Sequence, residues 1–386
     1  MQLAENRIDK PLLWISLALL FFGLTLGYSA SMVMARESHG SSYYFVLRQA
    51  IYALGGLVLM IGAIKIDYRR LDSPRVLIPA FSLALLSLES VFFFHPVNGA
   101  RRWVHFSGIS LQPSEFVKVL VVVLLAFFLS RRDEEINDLK RGLLPCAILV
   151  GLPAVMILKE PDLGTSTYIL LTAAILLLAA GLRLRYLVMA LMAAVPMMYL
   201  LVFSVAYRRN RMLAFLDPLE DPLGIGYQIR QSLITIGSGG LWGAGLANGK
   251  QKLFFLPMPH TDFIYAVIGE ELGLWGCALV LVLFMLLFWR GLKIAARARD
   301  AFGYYLALGI TSLIVIQSLI NMSVVLSLMP NKGLPLPFIS MGGSSLLATL
   351  FGIGLLLNVS AHSVRRVDVN RPAILNSAPA PRGARA

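Results

Sequence analysis

In the stretch QKLFFLPMPHTDFIYAVIGEELGLWG (251–276) the residues of types that do chemistry include His260, Thr261, Asp262, Glu270 and Glu271. A polar loop ends in His260-Thr261-Asp262, and a long apolar segment follows that carries the two glutamates within three turns. A carboxylate inside or at the edge of a membrane helix is costly and faces a polar cavity or a partner. Such an acid can accept a proton from a reacting group. Thr and Asp at a helix start are also ordinary capping residues, so the stretch alone leaves both readings open.

Other chemistry-bearing clusters lie elsewhere. Gln112-Pro113-Ser114-Glu115-Phe116-Val117-Lys118 reads as a helix start, with Pro in the first turn and Glu near the positive end of the dipole. Glu115 and Lys118 are spaced to share a face and to pair. Glu160-Pro161-Asp162-Leu163-Gly164-Thr165 is a tight turn bearing two acids between apolar segments. Glu89 is a further acid inside an apolar run. The glycines of 237–245 do not form a nucleotide loop: the residue five before Gly249 is Ala244, and Gln251 follows Lys250 where Ser or Thr is needed. They are expected to allow tight turns instead. The five histidines lack metal-ligand spacing, which leaves a divalent cation at His260 and Asp262 possible and no more. Between two apolar runs, Met329 to Ser345 is interrupted by Pro and Gly, a pattern tolerated at membrane depth only where the backbone is buried or lines a cavity.

The elements that must position these residues follow from composition. Apolar residues make up 58% of 386, only 14% are charged, and the mean hydropathy is +0.75. A soluble domain of this size is excluded. Ten spans are expected, at 11–34, 45–64, 74–94, 113–130, 143–158, 163–182, 187–206, 263–289, 303–329 and 342–361. The fifth is short and carries Pro145 and Pro153, which suggests a kink or partial entry. The expected fold is an all-α polytopic membrane protein with one long outer loop, 207–262. The membrane domain spans 1–364, and a Pro/Ala/Arg-rich tail, 365–386, is expected to be disordered and cytoplasmic. Every even connection is basic, for instance Lys65, Arg69, Arg70 and Arg75, or Arg131, Arg132, Lys140 and Arg141. The positive-inside rule therefore gives N-in, C-in, and the net charge of +13 orients helices rather than binding nucleic acid. Cations kept on the opposite side, among them Arg101, Arg102, Lys118, Lys159, Arg208, Arg211 and Lys332, suggest an anionic ligand there, although pairing with outer acids would also account for them.

The motifs NGARRW (98–103), QPSEFVK (112–118), EPDLGT (160–165), GYQIRQSL (226–233), PHTDFIYAVIGEELG (259–273) and the segment from Lys332 to Ser345, in that order, resemble the SEDS family of membrane peptidoglycan glycosyltransferases over residues 10–365. Asn-Lys-Gly before Leu-Pro-Leu-Pro and the context of Gly269-Glu270-Glu271 look more like the division branch, FtsW, than the elongation branch, RodA. A sporulation branch has nearly the same motifs. Asn331 stands where the division branch usually has Thr, and Met341 where the family usually has Tyr.

The resemblance implies a ten-helix enzyme of the bacterial cytoplasmic membrane that polymerises lipid II on the outer face, for septal wall synthesis. It implies as partners a class B penicillin-binding protein transpeptidase of the FtsI type and other divisome proteins, with no nucleic acid and no certain cofactor. Asp262 matches the family's essential acid. The reaction joins a sugar hydroxyl of incoming lipid II to the anomeric carbon of the growing chain, and undecaprenyl pyrophosphate leaves. It needs a base and cations for the leaving group. Asp262 is the expected base. Arg102, Lys118, Lys332 and Arg211 are expected at the pyrophosphate, with Glu115 and Ser344 also at the substrate and Asp162 and Glu270 as supporting acids. A helix starting near Thr261 would lower the pKa of Asp262 through its dipole, whereas burial would raise it. Glu270, eight residues on, lies about 12 Å away along a helix axis. The rival functions are a flippase for the lipid-linked precursor, which lacks support from paired broken helices in two halves, and a non-catalytic scaffold, which leaves the outer cations unexplained.

Overall fold

The computed structural model describes residues 8–95, 101–106, 109–217, 225–253, 255–257, 259–331 and 333–363. In chain order the described α-helices are α1 (Lys10–His39), α2 (Tyr44–Lys65), α3 (Pro74–Ser90), α4 (Pro113–Arg132), α5 (Leu144–Lys159), α6 (Leu163–Ala179), α7 (Leu184–Phe203), α8 (Ala206–Leu216), α9 (Ile225–Gly239), α10 (Ile264–Ala295), α11 (Ala301–Val325) and α12 (Gly343–Ala361). Among the described residues, nine helices are long and apolar enough to cross a membrane, and α6 is a shorter apolar helix of 17 residues.

The outward surface is apolar, as lipid as a solvent requires. On α2 the exposed residues Leu47, Ile51, Leu54, Val58 and Ile61 repeat every three or four positions and form one stripe. The polar residues go inward instead: Gln317, Ser318 and Asn321 on α11 and Asn358 on α12 are buried. Helices α4, α11 and α12 form the centre, α2 packs along α12, and α10 packs along α11. By contrast α7 has no buried residue and lies at the periphery.

One end of the bundle is pinned by polar contacts. Asn358 Nδ2 donates to the carbonyls of Ala63, Ile64 and Ile66, and its Oδ1 accepts from the Tyr68 backbone. Tyr68 in turn donates to Asp300, at 2.6 Å. The end of α2 is thus closed by a side chain of α12 rather than by water. The opposite end carries the irregular backbone.

The chain differs from expectation in four places. The connection 207–262 contains two helices, α8 and α9, rather than loop alone. A short antiparallel hairpin, β1 (Val104–Phe106) with β2 (Ile109–Leu111), precedes α4. Pro153 lies inside a continuous α5, which a one-turn π-helix extends at its start, so this segment reaches full crossing length. Helix α10 starts at Ile264, so Asp262 precedes it, and α10 breaks at Gly273, whose φ is +64°.

The break has a clear physical cause. The Glu270 and Glu271 carbonyls freed there accept from Ala244 and Gly245 N–H, and Leu274 N–H donates to Gly240. A side chain at Gly273 would come within 2.5 Å of Gly243 N. The glycine-rich run serves as the tight turns that re-pair α10, with Gly240, Gly243 and Gly245 all at positive φ.

Candidate active site

Three consecutive carbonyls bring Asp262 to its place. His260 O accepts from Met341 N–H at 2.9 Å, Thr261 O from Ser340 Oγ at 2.6 Å, and Asp262 O from Asn321 Nδ2 at 3.0 Å. Two of these donors belong to the Pro/Gly-interrupted segment after α11, and the third belongs to α11 itself. Asn321 Nδ2 also donates to Leu334 O at 2.7 Å, so one amide ties both loops together. The segment is held further by Gln317 Nε2 on Pro335 O and by Ser340 Oγ, which accepts from Leu336 N–H. It presses against α1 where only glycine fits: a Cβ at Gly23 would come within 2.4 Å of Phe338 O. Gly333, at positive φ, lies beside the Asp262 carboxylate, its would-be Cβ 3.4 Å from Oδ2.

The Asp262 carboxyl has its pKa raised, first by burial and also by Asp162, while Arg211 and Arg102 pull it back down. With α10 starting two residues later, the helix start does not reverse this balance. Raised basicity suits a proton acceptor.

Arg102 crosses to the Glu160-Pro161-Asp162 turn. Its Nε donates to Glu160 O at 3.1 Å, its Nη2 donates to Pro161 O, and its Nη1 lies 3.6 Å from Asp162 Oδ2. Asp162 is the N-cap of α6, accepting from Thr165 N–H at 3.0 Å and Thr165 Oγ1 at 2.9 Å. Glu160 is fully buried, with neither carboxyl oxygen hydrogen-bonded, and burial pushes its pKa up to about 9, aided by Asp162 and opposed by Arg102. Arg211 donates to Asn331 O at 3.2 Å. Arg208, one of the outer cations, donates to Leu201 O and Leu158 O. Arg102, Arg208 and Arg211 together line a small cavity of about 60 Å³. Backbone carbonyls and the Asp162 carboxylate orient these guanidinium groups along the cavity wall.

The other candidates are distributed differently. Lys118 is buried in α4, 2.5 Å from Glu115, with Nζ donating to Gln317 Oε1 at 2.9 Å and lying 5.3 Å from the Tyr168 ring centroid. Both members of the pair are therefore engaged internally, and they reach the site through Gln317 and Pro335. Ser344 Oγ accepts from Gln112 N–H at 2.9 Å and fastens the start of α4 to α12. Glu270 turns toward the preceding loop, where its Oε1 accepts from Lys250 and Gln251 N–H. Glu271 does likewise with Lys252 at 2.6 Å, Ser29 Oγ and Ala247 N–H. Glu89 is exposed on α3. Lys332 and the 365–386 tail lie outside the described residues. Among the described residues, no three His, Cys, Asp or Glu side chains converge as a metal site.

Comparison with known proteins gives a consistent picture. Residues 10–365 match the family model FtsW/RodA/SpoVE, described as a cell cycle protein. The chain is 45% identical over 358 residues to "Probable peptidoglycan glycosyltransferase FtsW" of Geobacter metallireducens, covering 92% of this chain and 95% of that one. It is 41% identical to "Stage V sporulation protein E" of Bacillus subtilis, with 92% and 97% covered. A solved structure described as "Structural coordination of polymerization and crosslinking by a peptidoglycan synthase complex" superposes with a TM-score of 0.76 at 30% identity, over 92% and 97% of the two chains. The rod shape determining protein RodA of Thermus thermophilus superposes with a TM-score of 0.68 at 27% identity, over 93% and 98%.

Proposed function

The chain belongs to the FtsW/RodA/SpoVE family, whose curated relatives are peptidoglycan glycosyltransferases, and we propose that it polymerises lipid II with Asp262 as general base. The relatives named as such glycosyltransferases support the reaction class. The observation that carries the residue assignment is the Asp262 carboxylate, made more basic by burial and set beside a cavity of three arginines. Asp262 takes the proton of the acceptor hydroxyl as its oxygen attacks the anomeric carbon of the growing chain. The bond from that carbon to the pyrophosphate breaks, and Arg102, Arg208 and Arg211 take up the charge of the departing group. Glu115 and Lys118 act from behind, fixing Gln317 and hence the segment over Asp262.

In this reading the nine long apolar helices among the described residues and the shorter α6 are the ten spans, with both termini cytoplasmic and the site on the outer face, as the basic inner connections require. Similarity to a chain of a peptidoglycan synthase complex that couples polymerisation to crosslinking supports a transpeptidase partner. Division is the favoured setting.

The test is Asp262→Asn in purified protein given fluorescent lipid II. Loss of a general base costs a factor of ~10²–10⁴ in rate, so glycan ladders should vanish or nearly so while extraction and folding survive. Undiminished ladders from the variant would remove Asp262 from the base role. Absence of ladders from the wild type, with transport of the precursor instead, would favour a flippase.

A further inference from the structure

A second cavity, of about 280 Å³, opens beside Thr261 and shares no lining residue with the arginine cavity. Arg102 and Trp103, consecutive in the chain, go one to each. Its walls include the rings of Phe45, Tyr52, Trp103 and His260, with Gln49 and Arg48 among the polar groups. His260 stacks on Phe45, with centroids 5.2 Å apart and planes at 24°. Only 8% of His260 is exposed, yet its Nδ1 has no hydrogen-bond partner. That nitrogen is itself closed off from the open space, so the polar groups the cavity offers a ligand are the side chains of Arg48, Gln49, His105 and Ser110 in its wall. Burial also lowers the imidazole pKa, which keeps the ring neutral.

We propose that this cavity binds the terminal amino sugar of the acceptor, the incoming lipid II, an inference that rests on the glycosyltransferase reading. A pyranose offers a C–H face to aromatic rings and hydroxyl and amide groups at its edge, which is what these walls complement. An isoprenoid tail would offer nothing to the polar side chains of Arg48, Gln49, His105 and Ser110 in the wall. The volume lies near the lower end of small-ligand pockets, roughly 300–1,000 Å³, and suits one sugar unit. Acceptor rather than donor follows from chemistry. The donor's reacting carbon carries the pyrophosphate and so belongs at the arginines, whereas the acceptor hydroxyl must approach Asp262 from another side. The cavity that includes His260 and Thr261, the two residues before Asp262, provides that side.

The test uses full-length protein and lipid II carrying a diazirine on the N-acetyl group of its terminal sugar, crosslinked on Asp262→Asn. Label is expected on peptides holding Phe45–Tyr52, Trp103 or His260. Label centred on Leu163, Val202 or Met212, at the arginine cavity, or no label above background, overturns the proposal. A kinetic arm fixes a preformed glycan on lipid pyrophosphate as donor and varies lipid II. His260→Gln and Trp103→Leu should raise the half-saturating lipid II concentration about tenfold with the saturated rate within about threefold, and Trp103→Phe should recover most of the loss. Unchanged half-saturation in correctly folded variants overturns the assignment. Failure of the wider reading looks different, because the wild type would then yield no ladders at all.

Discussion

At Asp262 the balance of burial against cations sets a pH dependence. Burial raises its pKa, and Arg211 and Arg102 lower it. As the proposed base it must be deprotonated, so activity should rise with pH through that raised pKa. Arg211→Ala removes a stabiliser of the carboxylate, so the acidic limb of the kcat/KM profile should move to higher pH while the rate falls. A limb that stays in place or moves down would detach Arg211 from Asp262. Glu160 supplies a second signature. Its folded pKa of about 9 exceeds the ordinary 4.5, so the fold prefers the protonated acid. Stability therefore declines as pH rises from 4.5 toward 9. Glu160→Gln should raise Tm at pH 8.5 and change it little at pH 5, and equal shifts at both would refute a neutral buried carboxyl.

The elements α4 and α11 are coupled through one buried pair. Lys118 holds Glu115 on its own helix and Gln317 on the next, and Gln317 holds Pro335 in the segment over Asp262. Removing one partner of a buried pair costs about 3–5 kcal/mol, because it strands a charge, while an apolar replacement of both can be neutral. Lys118→Met should therefore lower Tm strongly, and Glu115→Leu/Lys118→Met should restore it. Activity should stay low in the double variant, because Gln317 has lost the donor that orients it. Full recovery of polymerisation along with stability would show that the pair serves folding only.

For the whole molecule, charge bias and hydropathy make one testable statement about sidedness. In a chain whose only cysteines, Cys146 and Cys277, are buried, single cysteines introduced at Arg209 or Leu246 should react with an impermeant maleimide from outside. One at Glu134 should react only after permeabilisation. The reverse pattern would put Asp262 and the arginine cavity on the cytoplasmic face, away from any extracytoplasmic wall.

The apolar runs were legible because lipid imposes a length and a composition that no other solvent demands. Asp262 was legible only in part: an acid at the mouth of an apolar run needs a compensating environment, but a helix cap accounts for it as well, and the resemblance of the motifs was what singled it out. The EPDLGT turn and the broken segment at 329–345 were legible for the same kind of reason: Pro and Gly at membrane depth require cover. Which cation meets which acid was not. Lys118 and Arg102 look alike as outer cations, but one is closed inside an ion pair with Glu115 and the other is spread over two carbonyls and Asp162. Glu270 reads from sequence as a supporting acid, yet it and Glu271 brace the loop before Asp262. Arg208 and the aromatic cavity at His260 had no local signal, because each is built from residues distant in sequence. Membrane solvation acts on every residue along the chain and can be read in order. Pairing inside the bundle depends on which helices meet, and the tertiary structure alone decided that.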